Sequence, residues 1–351
     1  MEIKTPGRIC LFGEHQDYLG LPVIALAISR YSKLVGFPRS DSTVVINKPD
    51  LNEVEKFHLN DNQYTSNFDL FKSGLNVCKN HGFKFSKGFD VCVTSNIPIK
   101  AGTSSSSSIL VSWINFLSNN AENPKKLSNQ KLARLAFEAE VIELSTPGGM
   151  MDQYSTALGG LIYLKTSPAL SIKKMNHDLG AFVIGDSMNQ KDTMGILLRC
   201  KNDRLAILNK IKDSGSNISF NSISEGQVKK FKITEYEKAL LIGTIRNRDI
   251  LVKAKNELRK KYIDKHYLGQ LMIDHHEVLS KTLKVSTSKI DLMLKSAMEA
   301  GAYGGKISGS GGGGCMFAYC PEDPLKIKCA IEDVGGQAYV VRSALGTMIN
   351  N

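Results

Sequence analysis

Apolar and polar positions alternate in short blocks along the first half of the chain. "RICLFGE" (8–14) and "PVIALAISRYSKLVGF" (22–37) are dense in branched and apolar residues and predict strands. The polar tract "SDSTVVINKPDLNEVEKFHLND" (40–61) predicts a hairpin region. "NFDLFKSGLNVCKNHG" (67–82) has helical spacing, with Gly82 at its C-terminal cap. "FDVCVTSNIP" alternates as a strand, and "SSSILVSWINFLSNN" has the apolar density of a buried helix, which puts the lone Trp113 in the core. "SNQKLARLAFEAEVIEL" predicts a further helix with Ser128 as its cap. "LGGLIYLKT" and "FVIGDS" predict short strands.

The second half reads differently. Long polar helices are predicted from about Thr193 to Lys284, followed by the helix "SKIDLMLKSAMEAG", a glycine run, the strand "CMFAYC", another helix and "AYVVRSAL". The pattern breaks at "TSPALSIKK", so two units are expected, over 1–170 and 171–351. No repeat of fixed period is visible, which sets solenoids and propellers aside. Strands and helices mix without the regular alternation of a doubly wound sheet, so an α+β arrangement is expected.

Composition narrows the chemistry. With 42% hydrophobic and 23% charged residues in a chain of 351, folding throughout is expected, into one large core or two smaller ones. The formal charge of +11 favours anionic partners. The basic residues, however, are scattered through "KKLSNQKLAR", "KKFKITEYEK" and "NELRKKYIDKHY" beside acids and polar residues, which fits solvated helix faces better than a nucleic-acid surface. Seven widely spaced cysteines without a CxxC pair fit reduced thiols. No signal-peptide pattern and no bilayer-length apolar run occur, so a cytoplasmic protein without membrane or nucleic-acid partners is expected.

Four segments carry candidate chemistry. In "NIPIKAGTSSSSSILVSWINFL" five serines, Ser104 to Ser108, stand at the start of an apolar helix. Serine suits helix starts and disfavours helix interiors. Unpaired N–H groups, the positive helix dipole and a close-approaching Gly102 together make a phosphate-binding design. The pattern is not a P-loop, because no Lys follows the serines. In "GGKISGSGGGGCMFAYC", Gly309, Gly311 and Gly314 satisfy G-x-G-x-x-G but lead into a strand, unlike a dinucleotide fingerprint. The VAIK, HRD and DFG elements of protein kinases are absent. What is left is a tight loop able to press backbone against a ligand or another loop. "GRICLFGEHQDY" crowds Arg8, Glu14, His15 and Asp17 at the end of a strand, a set suited to sugar hydroxyls, to a metal, or to a solvated turn. In "EAEVIELSTPGGMMDQYSTALGG" a helix carrying Glu138, Glu140 and Glu143 ends at Pro147, and a glycine turn presents Asp152 as a candidate base or metal ligand. The adjacent pair His275 and His276 points in different directions on a helix and does not suggest a metal site.

Taken in order, these segments resemble the GHMP small-molecule kinases, named for galactokinase, homoserine kinase, mevalonate kinase and phosphomevalonate kinase. "TPGRICLFGEHQDYLG" is similar to the galactokinase signature, "IPIKAGTSSSSSILVS" to the family's phosphate loop and "GGKISGSGGGGC" to its third motif. His276, Val285, Ser286 and Asp291 also stand at the galactokinase spacing. Residues 190 to 265 lie outside the similarity.

The resemblance implies an N-terminal lobe like ribosomal protein S5 domain 2, a ferredoxin-like C-terminal lobe and an active site between them. It implies an ATP-dependent sugar kinase acting on the anomeric hydroxyl of galactose or a related monosaccharide. ATP phosphates would rest on Gly102, Thr103, Ser104, Ser105, Ser106 and Ser107, with Ser106 and Glu140 holding Mg²⁺. Asp152 would be the general base, Arg8 its electrostatic partner, and Glu14, His15, Asp17 and Gly149 further sugar contacts. Gly309, Gly311 and Gly312 would form the third-motif loop. A monomer or homodimer is expected. Cys10 and Leu19 replace the usual asparagines of the galactokinase signature, and Thr103 and Ser107 replace Leu and Ala of the phosphate loop. Heptose-phosphate or other sugar-1-kinases share the tract "MMDQYSTALGG" and are the alternative acceptor class. The alternative of another kind is a silent sugar and ATP sensor.

Overall fold

The computed structural model describes residues 1–66, 69–98, 101–189, 193–216 and 218–350. The start of the helix expected from Asn67, and Ile99 and Lys100 of the serine-loop segment, lie outside the described residues.

The first lobe is built on strands β1 (Glu2–Phe12), β2 (Val23–Pro38), β3 (Thr43–Lys48), β4 (Glu53–His58), β5 (Phe89–Ser95), β6 (Leu161–Lys165), β7 (Ser171–Met175) and, from the far end of the chain, β12 (Met348–Asn350). Their order is β12-β1-β2-β5-β3-β4, with β6 on β2 and β7 on β6. The β3–β5 pair is parallel, and β3 and β4 form the expected hairpin. β1 starts six residues earlier than the apolar run suggested and stops at Phe12, so Glu14 stands in the turn beyond the strand.

Helices α1 (Leu70–Asn80), α2 (Ser105–Asn120), α3 (Asn129–Phe137) and α4 (Met151–Leu158) belong to this lobe. Ser128 caps α3, its hydroxyl accepting from the Lys131 amide. On α2, Trp113 stacks on Phe116 and meets Phe71 and Phe89 edge-on, while its indole N–H donates to the Phe71 carbonyl at 2.9 Å. These buried rings, close-packed and with the one polar atom satisfied, form the centre of the first core.

The second lobe carries β8 (Phe182–Asp186), β9 (Gly304–Ile307), β10 (Cys315–Tyr319) and β11 (Gln337–Val341). Between β8 and β9 run α5 (Thr193–Asp213), α6 (Glu225–Val228), α7 (Glu235–Glu257), α8 (Lys265–Glu277) and α9 (Ser288–Glu299), and α10 (Pro324–Asp333) joins β10 to β11. The sheet order β11-β8-β10-β9 on a β-α-β-β-α-β path is the ferredoxin-like arrangement. A further apolar cluster, including Ile9, Phe12, Leu251, Met272 and Phe317, spans the junction of the lobes. The division expected at residue 170 falls in the turn between the paired strands β6 and β7. The chain also returns to the first sheet at its end, through bridges at Ser343 and Leu345 and through β12 on β1. No helix among the described residues is long and apolar enough to cross a membrane.

Trp113→Ala should cost about 3–5 kcal/mol of stability, the usual range for emptying a buried aromatic site. Urea unfolding followed by circular dichroism measures it, and a loss under 1 kcal/mol would show that the first core is not centred on this ring.

Candidate active site

Arg8 sits within β1, buried at 3% exposure. Its Nε and Nη2 both donate to Asp152 Oδ1, at 2.9 and 2.6 Å, and Nη1 donates to the Gly102 carbonyl. The Arg8 amide donates to the Thr103 carbonyl at 3.0 Å. One residue thus joins the base candidate to the serine loop. Asp152 does not stand on a glycine turn as expected: it lies in the first turn of α4, held rigidly by helix geometry.

The serine loop enters α2 at Ser105, one residue before the quoted helix segment begins. Ser104 takes a left-handed conformation (φ 61°), and its hydroxyl is buried without a partner, so it does not act as a side-chain cap. The Ser106 and Ser107 hydroxyls donate to Glu140 Oε1 and Oε2 at 2.7 and 2.6 Å, and Gln153 Nε2 donates to Oε2 at 2.6 Å. Glu140 stands in a π-helical turn, Glu138–Glu143, that follows α3 directly. Single π turns re-aim side chains and recur at functional sites. Burial raises the Glu140 carboxyl pKa, against the lowering effect of these three hydrogen bonds. Ser107 is buried and committed to Glu140, whereas Ser106 is exposed.

The third-motif loop lies against the serine loop. Gly309 has φ 79°, and a Cβ there would come within 2.5 Å of Gly102 Cα. Only glycine allows this contact. Ser308 Oγ donates to the Gly102 carbonyl, the Cys315 amide to the Ala101 carbonyl, and the Gly312 amide to the Val285 carbonyl. A Cβ on Gly311 would also crowd the Val285 carbonyl, at 2.4 Å. His276 supports this loop from behind: its Nδ1 accepts from the Ile307 amide, its Nε2 lies 3.0 Å from Asp291 Oδ1, and Ser286 donates to the same oxygen. His275 is fully buried, its ring stacked against Phe12.

Asp17 lies near Asp152, its Oδ2 accepting from the Met151 amide at 3.3 Å. Gly149 passes directly beneath it: a Cβ would fall 2.0 Å from Oδ2. Burial and then the Asp152 charge push the Asp17 carboxyl up to about 6. Glu14 and His15 are engaged elsewhere than expected. Glu14 Oε2 accepts from Lys306 Nζ at 2.7 Å in a fully buried pair, and both ring nitrogens of His15 are taken, Nε2 by the Ser310 carbonyl at 3.0 Å and Nδ1 by the Tyr18 hydroxyl at 2.8 Å. A lone lysine in the strand "GGKIS", and Gln153 directly after Asp152, were the signals for two partners that sequence reasoning missed.

A carboxylate clamped by a buried guanidinium, beside a serine loop at a helix start, defines a phosphotransferase-type site in a two-lobed α+β fold. The models "GHMP kinases N terminal domain" (residues 69–160), "GHMP kinases C terminal" (254–337) and "Galactokinase galactose-binding signature" (3–34) match this chain. The chain belongs to the GHMP kinases, a family of ATP-dependent phosphotransferases. It is 27% identical to a galactokinase of Thermococcus kodakarensis over 91% of this chain and 89% of that one. It is 26% identical to a mevalonate kinase of Thermococcus onnurineus over 97% and 95% respectively. The crystal structure of Lactococcus lactis galactokinase complexed with galactose superposes with a TM-score of 0.86 at 20% identity, covering 99% of this chain and 94% of that one.

The raised Asp17 pKa has a stability consequence of definite sign. Between the ordinary value of 3.8 and about 6 the folded state holds the extra proton, so Asp17 makes stability fall as pH rises through that window. Asp17→Asn should flatten this decline and stabilise the protein above pH 6. Urea unfolding across the window tests it, and an unchanged slope would place the Asp17 pKa back in the ordinary range.

Proposed function

We propose that the protein transfers the γ-phosphoryl group of ATP to a monosaccharide hydroxyl, the anomeric 1-OH of galactose or a related sugar. The observation that carries this reading is the Arg8 clamp, which puts the Asp152 carboxylate and the serine-loop carbonyl on one guanidinium. The galactose-binding signature over 3–34 supports a sugar as the acceptor.

In this reading Asp152 takes the proton from the attacking hydroxyl as its oxygen closes on the γ-phosphorus and the bond to the β-phosphate breaks. Arg8 offsets the negative charge gathering between the nucleophile and the γ-phosphoryl group. Backbone N–H groups at the start of α2 receive the phosphates. Phosphoryl transfer needs little more than such positioning and charge stabilisation.

Mg²⁺ suits the donor set of Ser106 and Glu140, which offers hard hydroxyl and carboxylate oxygens. Among the described residues no cluster of three or more His, Cys, Asp and Glu side chains forms a ready-made metal cage. This agrees with an ion that takes few protein ligands and completes its shell with phosphates and water. When bound, Mg²⁺ supplies charge neutralisation across the phosphates. Gln153 keeps the Glu140 carboxylate aimed at Ser106.

A second acceptor class is favoured by a specific observation. Glu14 and His15 are both committed to protein groups, and a curated relative over 97% of the chain is a mevalonate kinase. A non-sugar alcohol therefore belongs beside heptose phosphates among the alternatives.

ATP consumption with Mg²⁺ against free hexoses, pentoses, uronic acids, heptose 7-phosphate and mevalonate should give turnover with one free sugar. Asp152→Ala should lower that turnover about 10³-fold while ATP still binds. Activity only with a phosphorylated sugar or with mevalonate would replace the acceptor, and silence with ATP bound would favour the sensor. Ser106→Ala should raise the KM for Mg²⁺-ATP about tenfold and leave the acceptor KM within twofold. Equal effects on both would mark general damage to the loop.

A further inference from the structure

The turn from Glu14 to Tyr18 leaves the first sheet but is held by the second lobe. Lys306 of β9 pairs with Glu14, Ser310 of the third-motif loop meets His15, and Arg204 of α5 donates from Nη2 to the Tyr18 hydroxyl at 2.6 Å. The Arg204 guanidinium also lies 5.5 Å from the Tyr18 ring centroid.

Elementary donor and acceptor chemistry fixes the direction of every bond in this chain. The Ser310 carbonyl can only accept, so His15 Nε2 carries a hydrogen. In a neutral imidazole Nδ1 is then a bare acceptor, so the Tyr18 O–H donates to it. A guanidinium can only donate, and the Tyr18 oxygen accepts from it. The relay runs one way, from Arg204 through Tyr18 and His15 to Ser310, and no member reverses without breaking its neighbours. Burial, then the charge of Arg204, pushes His15 down to about 3, so the ring is neutral at physiological pH. Burial pushes the Tyr18 hydroxyl up, and it stays a phenol.

Arg204 is the unusual member. It is buried at 1% exposure, its Nε donates to the Cys200 carbonyl of its own helix, and its Nη1 is buried without a partner. Among the described residues no carboxylate pairs with it. A buried guanidinium is costly for packing alone, since an apolar side chain fills the same space without the desolvation penalty. The one contact it makes to a motif residue is Tyr18.

We infer that Arg204 is a positioning residue: by donating to the Tyr18 oxygen it turns the Tyr18 O–H onto His15 Nδ1, bracing the ring that the Ser310 carbonyl holds as the Nε2–H tautomer, and so fastens the acceptor-binding turn to the third-motif loop. Asp17 stands between His15 and Tyr18, while Ser310 stands between Gly309, packed on Gly102, and Gly311, packed on Val285. The acceptor and phosphate sites therefore share one hydrogen-bonded tie. The kinetic consequence rests on the kinase reading above; the tautomer does not.

Nitrogen NMR of the ¹⁵N-labelled full-length protein should show His15 as a single neutral Nε2–H tautomer at neutral pH, without any acceptor present. An Nδ1–H tautomer or an imidazolium there would overturn the inference. In Tyr18→Phe the Nε2–H tautomer should persist on the Ser310 carbonyl while the Nδ1 resonance moves to that of an acceptor without a hydrogen bond, and an unchanged Nδ1 resonance would overturn the brace. In the kinase assay Tyr18→Phe and Arg204→Met should each raise the acceptor KM about tenfold, with the KM for ATP rising in the same direction and kcat little changed, the effect of losing one buried hydrogen bond. The double variant should be no worse than the poorer single one, because both break the same relay, and Arg204→Lys should recover part of the loss. Additive effects, or a change confined to kcat, would overturn it. If Arg204→Met fails to fold, Tyr18→Phe, which removes one oxygen atom, carries both arms.

Discussion

A guanidinium at 3% exposure needs an anion or a full set of acceptors, and Arg8 takes both. Its two donors on one oxygen of Asp152 hold that carboxylate in place, and its third meets the Gly102 carbonyl at the mouth of the serine loop. The main chain of the same residue pins Thr103. Because Arg8 lies inside the long β1–β2 pairing, the geometry of the first sheet passes directly to both the base candidate and the serine loop. Removing this side chain would leave the Gly102 carbonyl with the Ser308 hydroxyl alone and the Asp152 charge uncompensated, which ties the fold and the candidate chemistry together at a single position.

The second constraint is steric. The glycines of the third motif let two backbones touch where any side chain would force them apart, so the serine loop is shaped from both lobes. Lys306 and Glu14 add a buried ion pair across the same junction. Such a pair contributes little net stability over apolar residues, but either charge left alone is strongly disfavoured, so it specifies one docking register. The terminal strand β12, pairing with β1, closes the chain back on the first lobe. The two lobes are topologically interleaved rather than joined by one linker.

What the sequence made legible follows from the range of each interaction. The serine tract before "ILVSWINFL" and the Ser128 cap depend on neighbours close in the chain, and they read correctly as helix starts, whereas β9 reads as part of a glycine run and the ferredoxin-like order comes from the family resemblance. The π turn around Glu140 did not, because its pattern within "EAEVIEL" is that of an ordinary helix and only its tertiary partners, Ser106, Ser107 and Gln153, distinguish it. β7 and β12 were missed for a similar reason: short, exposed edge strands have no apolar alternation to reveal them. The motif "GEHQDY" marked Glu14 and His15 as polar groups with work to do. It carried no sign that their partners are Lys306 and Ser310, some 290 residues away.

Two carboxylates stand near the expected acceptor, and one cation serves them. Arg8 donates to Asp152 and to the Gly102 carbonyl but not to Asp17, which accepts from the Met151 and Tyr18 backbone amides. Burial and the neighbouring Asp152 charge then push Asp17 up to about 6. In the proposed kinase reading, the carboxylate sharing a guanidinium with the serine loop is the one that takes the proton. The acid with the raised pKa keeps its proton more readily and can donate a hydrogen bond to an acceptor oxygen as well as receive one. In that proposed reading Asp17 is suited to hold the acceptor and Asp152 to activate it, although both side chains are chemically the same.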